Sequence, residues 1–167
     1  MSAGPAGGNP PGGGPRPLRV GAAAWGRVLA HVAAERPREA VGYLGGPDGT
    51  ATRAVPLRNL GLPGTGPRRS FLADPRDQYA VERAWKDGGV ELLAVYHSHP
   101  GGGTGLSAAD RRLAVDDGRA LLVLAPPPAG REGPTRRRAW RRRGEAWAPV
   151  PLVVEGEGPT TAGGGRG

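Results

Sequence analysis

The chain has 167 residues, enough for one domain with a single core, and a formal net charge of +8. It has no cysteine, which excludes disulfides and thiolate metal sites and fits a cytoplasmic protein. No apolar run is long enough to span a membrane and no signal-peptide pattern opens the chain, so neither feature is expected.

All the basic residues except Lys86 are arginines, and glycine (31) and proline (19) are abundant, a composition that GC-rich codon usage would produce. The charge is uneven. The segment "REGPTRRRAWRRR", residues 131–143, has seven Arg against one Glu, a net of +6 that leaves +2 for the rest. Residues 1–17, "MSAGPAGGNPPGGGPRP", and residues 155–167, "EGEGPTTAGGGRG", are too poor in apolar side chains to offset the entropy of ordering. Both are expected to be disordered tails around a folded domain at 18–154.

Within that domain, "LRVGAAAWGRVLAHVAAE" (18–35) predicts a short strand and then a helix with Trp25, Val28, Leu29 and Val32 near helical spacing, ending before Pro37. "EAVGYLGG" (39–46) predicts a buried strand, "GPDG" a turn, and "TATRAVPL" (50–57) its hairpin partner. A Gly/Pro-rich loop at 59–69 precedes a helix entered at Asp74-Pro75 and stopped at Gly88-Gly89, with Val81, Ala84 and Trp85 on one face. "VELLAVYHSH" alternates as a strand, with Leu92, Ala94 and Tyr96 on one side and Leu93, Val95, His97 and His99 on the other. "SAADRRLAVDDG" predicts a third, short helix, "RALLVLAPP" a strand covered on both faces, and residues 136–154 two more strands around Gly144-Glu145. Helices interrupt hairpins without regular alternation, which argues for an α+β sandwich with helices packed on a central sheet.

The chemistry concentrates in "YHSHPGGGTGLSAAD", residues 96–110. His97 and His99, two apart on a strand, project from one face, and Pro100 to Gly103 let the chain reverse. Asp110, in the first turn of the next helix, could bring a carboxylate back to them. Two imidazoles and a carboxylate make a catalytic zinc site with a fourth position for water. "SAAD" is also a capping-box start, with Ser107 as N-cap and Asp110 three residues on. The two readings compete on the expectation that a side chain folded back on the Ser107 amide cannot also bind zinc.

The stretch resembles the His-x-His-x7-Ser-x2-Asp signature of the JAMM (MPN+) zinc metalloproteases, position for position at His97, His99, Ser107 and Asp110, with Leu106 where many members have proline. "HVAAERPREAVGYLGG" is similar to the family's Pro-x-Glu-x-x-Gly-x-Leu element, which puts Glu39 on its catalytic glutamate and Gly42 on the following glycine, with Val41 where cysteine is frequent. Asn59 and residues 71–100 also follow the family pattern, and the likeness runs from about Val20 to Leu124.

The resemblance implies a three-layer-like α+β sandwich with a central mixed, mostly antiparallel sheet flanked by helices, of the cytidine-deaminase-like kind. It implies one Zn2+ held by His97, His99 and Asp110, Glu39 as the base, and Ser107 as donor to the oxyanion. It also implies hydrolysis of the peptide or isopeptide bond after the C-terminal Gly-Gly of a ubiquitin-like or sulfur-carrier protein. The short path from Asp110 to the next strand and the lack of residues for a second zinc imply a compact, free-standing enzyme. Glu35 is the rival base, and His31 is expected to be a half-buried helix residue.

Two alternatives remain open at this point: a non-catalytic MPN scaffold that binds partners, and a nucleic-acid-binding module built on the arginine run. Against the latter, residues 136–143 read as a solvated edge strand whose charges discourage pairing, or as a surface that docks an acidic protein. Oligomeric state is not encoded in any pattern found.

Overall fold

The computed structural model describes residues 15–113 and 118–158. Of the tails expected at 1–17 and 155–167, residues 1–14 and 159–167 lie outside the described residues, as does the part of the expected third helix at 114–117, while 155–157 form a turn. Strand β1 (Leu18–Val20) leads into α1 (Ala22–Glu35), an alanine-rich helix that stops at Arg36-Pro37, where the ring bars a further turn. Strands β2 (Val41–Gly46), β3 (Thr50–Ala51) and β4 (Arg53–Leu57) come next, then α2 (Pro75–Asp87) and β5 (Glu91–Ser98). The order closes with α3 (Ala108–Leu113), β6 (Ala120–Ala125), β7 (Arg136–Arg143), β8 (Ala146–Val150) and β9 (Leu152–Val154).

Six strands form one sheet in the order β4-β2-β5-β6-β7-β8, in which β5 and β6 are parallel and every other neighbouring pair is antiparallel. Helix α1 covers one face through Trp25, Val28 and Val32, which pack with Leu44, Tyr96, Leu122 and Leu124. Helix α2 covers the other through Trp85 and Val81, against Val41, Tyr43 and Val95. This is the expected three-layer α+β arrangement. Strands β2 and β6 are buried on both faces, as their unbroken apolar sequences predict. The α2 entry also follows the sequence: Asp74 accepts the Arg76 N–H, with Pro75 in the first turn.

Four details depart from the sequence reading. Residues 50–57 split, because β3 leaves the hairpin to pair in parallel with β1, and β9 joins β1 on its other side as a second, three-stranded sheet. A bulge between Leu44 and Gly45 of β2 pairs Leu44 with Ala94 but Gly45 with Leu92. The extra residue, Leu93, turns with Ala94 and Tyr96 into the α1 core, while Leu92 goes with Val95 to the α2 side, the reverse of strict alternation. Ala84 is exposed, so the inner face of α2 rests on Trp85 and Val81. Lastly, β7 lies between β6 and β8 and is not an edge strand. Its Arg137 stacks 4.8 Å above Trp25 and pairs with Glu157 in a turn that continues past Val154.

Gly42 is opposite Tyr96, and a Cβ there would lie 2.3 Å from the Tyr96 ring. That ring is fully enclosed and its hydroxyl is tied to His31 Nδ1 at 2.8 Å, so it has no room to retreat. Gly42→Ala is expected to cost about 2 kcal/mol through overpacking, read as a lower urea midpoint at unchanged slope.

Candidate metal centre

Strand β5 aims His97 at the α2 face, where it is fully enclosed and its ring lies 4.4 Å from that of Phe71. Ser98 points the other way, also buried, and its hydroxyl must find a partner. It accepts the Ala40 N–H at 2.8 Å, while its own N–H donates to the Ala40 carbonyl at 3.0 Å. This exchange extends the β2–β5 pairing past its last regular rung and sets residue 39 beside the histidines. Asn59 secures the same segment. Its amide nitrogen donates to the carbonyls of Glu39 (2.9 Å), Ser70 (3.0 Å) and Pro67 (3.3 Å), and its oxygen accepts from Gly61 and Leu72. The Glu39 N–H donates to the Pro67 carbonyl at 2.8 Å. The sequence reading assigned no role to Ser98 or Asn59; a serine between two strand histidines, forced inward by alternation, was the available signal.

His99 lies one residue beyond β5, with its N–H on the Leu124 carbonyl at 2.7 Å. Its Nδ1 is 2.9 Å from the Gly103 carbonyl, which can only accept, so Nδ1 carries the hydrogen and Nε2 faces inward. At the start of α3, the Ser107 N–H donates to Asp110 Oδ2 (2.7 Å) and the Asp110 N–H donates to Ser107 Oγ (3.1 Å), a reciprocal capping box. The same carboxylate reaches the imidazoles: Oδ1 is 3.1 Å from His97 Nε2 and Oδ2 is 3.2 Å from His99 Nε2. The expected competition between capping and metal binding is therefore corrected, because two oxygens offer about four lone-pair sites, enough for both.

His97 Nε2 and His99 Nε2 are 3.0 Å apart. Without an ion these groups can hydrogen-bond to one another, and the same convergence of two imidazole nitrogens and a carboxylate offers three ligand atoms to a cation. The donors suit zinc, whose N/O ligands at about 2.0–2.2 Å in tetrahedral array lie roughly 3.3 Å from one another. Among the described residues His97, His99 and Asp110 are the group of His, Cys, Asp and Glu close enough to share an ion, and Glu39 stands outside it. His31 is bonded to Tyr96, and Glu35 is paired with Arg38 at 2.9 Å.

Electrostatics follow from burial and from these contacts. Burial alone would raise the Asp110 carboxyl, but the bonds to His97 and His99 outweigh it and hold the group well below the usual carboxylate range. Burial pushes the His97 imidazole down, so it is neutral near pH 7. For His99 burial is outweighed by Asp110, Gly103 and Glu39, which raise it. Burial pushes Glu39 up to about 7, with His99 opposing and Asp110 adding to the shift.

A family model for prokaryotic homologs of the JAB domain matches residues 21–143, which include Glu39, both histidines, Ser107 and Asp110. A desampylase of Haloferax volcanii is 30% identical over 115 residues, 65% of this chain and 81% of the relative. A CysO-cysteine peptidase of Mycobacterium bovis is 32% identical over 104 residues, 60% of this chain and 68% of the relative. A probable TtuB-protein conjugate cleaving protease of Thermus thermophilus is 38% identical over 73 residues, covering 44% of this chain and 47% of its own length. Among solved structures, a Desulfitobacterium hafniense protein superimposes with a TM-score of 0.69 at 26% identity, over 83% of this chain and 93% of the other. A JAB1/MPN domain protein from Archaeoglobus fulgidus shares the fold at a TM-score of 0.53 and 17% identity, over 83% and 97% of the two chains.

Since His99 is raised above the ordinary histidine value of 6.5 and the nearby Glu39 is raised to about 7, the metal-free site carries at pH 6.5 a proton that these two groups share. Zinc binding must expel it. Calorimetry in two buffers of different ionisation enthalpy is expected to show about one proton released per ion at pH 6.5, falling as the pH rises, and no binding after His97→Ala.

Proposed function

The chain belongs to the prokaryotic homologs of the JAB domain and is a hydrolytic enzyme of JAMM type, and from that premise we propose that it is a zinc peptidase acting after the C-terminal Gly-Gly of a ubiquitin-like or sulfur-carrier protein. The single observation that carries the metal assignment is the convergence of His97 Nε2, His99 Nε2 and Asp110 within 3.2 Å of one another. The substrate class is supported by relatives whose names describe a desampylase, a TtuB-conjugate protease and a CysO-cysteine peptidase. Among the described residues no helix is long and apolar enough to cross a membrane, and we assign the activity to the cytoplasm.

His97, His99 and Asp110 would hold the ion, and zinc so bound supplies a Lewis acid that makes water a nucleophile at neutral pH and polarises the scissile carbonyl. Glu39 takes the proton from the attacking water and delivers it to the leaving amine. Its carboxyl, raised to about 7, is matched to both halves of that exchange. Fastening of its backbone to Asn59 and Pro67 limits the volume in which the carboxylate can move. Glu35 is the weaker candidate, engaged with Arg38 on the helix. Ser107 Oγ accepts from the Asp110 N–H, which leaves its hydroxyl hydrogen to donate to the oxyanion of the tetrahedral intermediate.

The test is cleavage of a carrier protein whose Gly-Gly terminus is extended by a short peptide, followed by mass spectrometry. Glu39→Gln is expected to keep one zinc per chain and to lose about 10²–10⁴ in kcat. Ser107→Ala is expected to keep zinc and lose about 10²–10³. A Glu39→Gln protein that cleaves within tenfold of the parent would overturn the assignment of the base.

A further inference from the structure

The arginine-rich segment has no part in the reaction as described, yet it reaches the metal centre. Through β6, Arg138 of β7 is in register with His97 of β5, by way of Val123, so Arg136, Arg138 and Trp140 share the sheet face that carries the metal ligand. Two of these side chains grip the loop between His99 and Ser107. Arg136 Nη2 donates to the Gly102 carbonyl at 2.8 Å, and Trp140 Nε1 donates to the Thr104 carbonyl at 3.1 Å. The carbonyl between them, Gly103, is the one that accepts the His99 Nδ1–H at 2.9 Å. Three consecutive carbonyls are thus held, the middle one by a metal ligand and its neighbours from β7.

We propose that Trp140 and Arg136 are positioning residues for His99, fixing through the loop the carbonyl that orients its imidazole toward the ion. The inference rests on the metal-centre reading and deepens it. The loop contains Gly101, Gly102, Gly103 and Gly105, residues with the most backbone freedom to lose, so its order must come from external partners. The two histidines also differ in what steadies them. His97 is packed against Phe71, and among the described residues its Nδ1 has no hydrogen-bond partner. His99 is partly open to solvent and depends on Gly103 for its second nitrogen. A ligand oriented by one hydrogen bond is only as well placed as the acceptor. Arg138, whose guanidinium lies 5.4 Å from the Trp140 ring, braces the indole in turn.

Trp140→Phe removes the donor and keeps an aromatic ring, and Arg136→Ala alters an exposed side chain. Zinc affinity, measured by competition with a chromophoric chelator, is expected to fall about tenfold in each variant and further in the double variant. The melting midpoint of the metal-free protein stays at the parent value. In that metal-free state, amides of residues 102–105 exchange faster in Trp140→Phe than in the parent. Zinc affinity within twofold of the parent in both variants overturns the proposal, as does unchanged exchange across the loop. A parent chain that takes up no zinc, and so behaves like His97→Ala, sinks the metal-centre reading itself and is distinguished from the other two results by that comparison.

Discussion

The site depends on one buried carboxylate answering to two structures at once. Asp110 closes the first turn of α3 by accepting the Ser107 amide, and the same two oxygens face both imidazoles. Burying an ionised carboxylate is costly unless its lone pairs are met, and here the helix and the histidines meet them together. If the helix started one residue later, the carboxylate would rotate about 100° away from β5. The reciprocal Ser107–Asp110 bonds fix that starting point, so a local capping rule sets the geometry of a long-range cluster.

The second group of residues that must be placed comes from elsewhere in the chain. Glu39 precedes β2, 58 positions before His97, and side chains outside the reaction bring it to the ligands. Ser98 ties Ala40 to the end of β5, and Asn59 gathers the carbonyls of Glu39, Pro67 and Ser70 onto one amide group. As the proposed base, Glu39 is fastened on both sides of its own peptide unit and would lose little freedom when substrate arrives.

Much of this was legible in the amino-acid order, and the reasons for the gaps are specific. Alternation along β5 put His97 and His99 on one face because nothing interrupts the strand after Ala94. The same rule failed at Leu92 and Leu93 because the bulge is set by the pairing of Gly45, on a different strand. Strand β7 was read as an edge from its charge, yet its neighbours are fixed by topology, and its arginines are accommodated by stacking on Trp25, pairing with Glu157 and capping loop carbonyls. The capping box was recognised but set against metal binding, as though a carboxylate had one acceptor. Asn59 was seen only as part of a family pattern, since five hydrogen bonds to residues 2 to 20 positions away leave no local periodicity.

The three residues proposed to hold the ion are not equally open to water. His97 is wholly enclosed and the Asp110 side chain is 3% exposed, whereas that of His99 is 15% exposed. An ion entering the proposed site from solvent would therefore meet His99 first. On the proposed reading, loading and stripping would share one path, past the His99 imidazole.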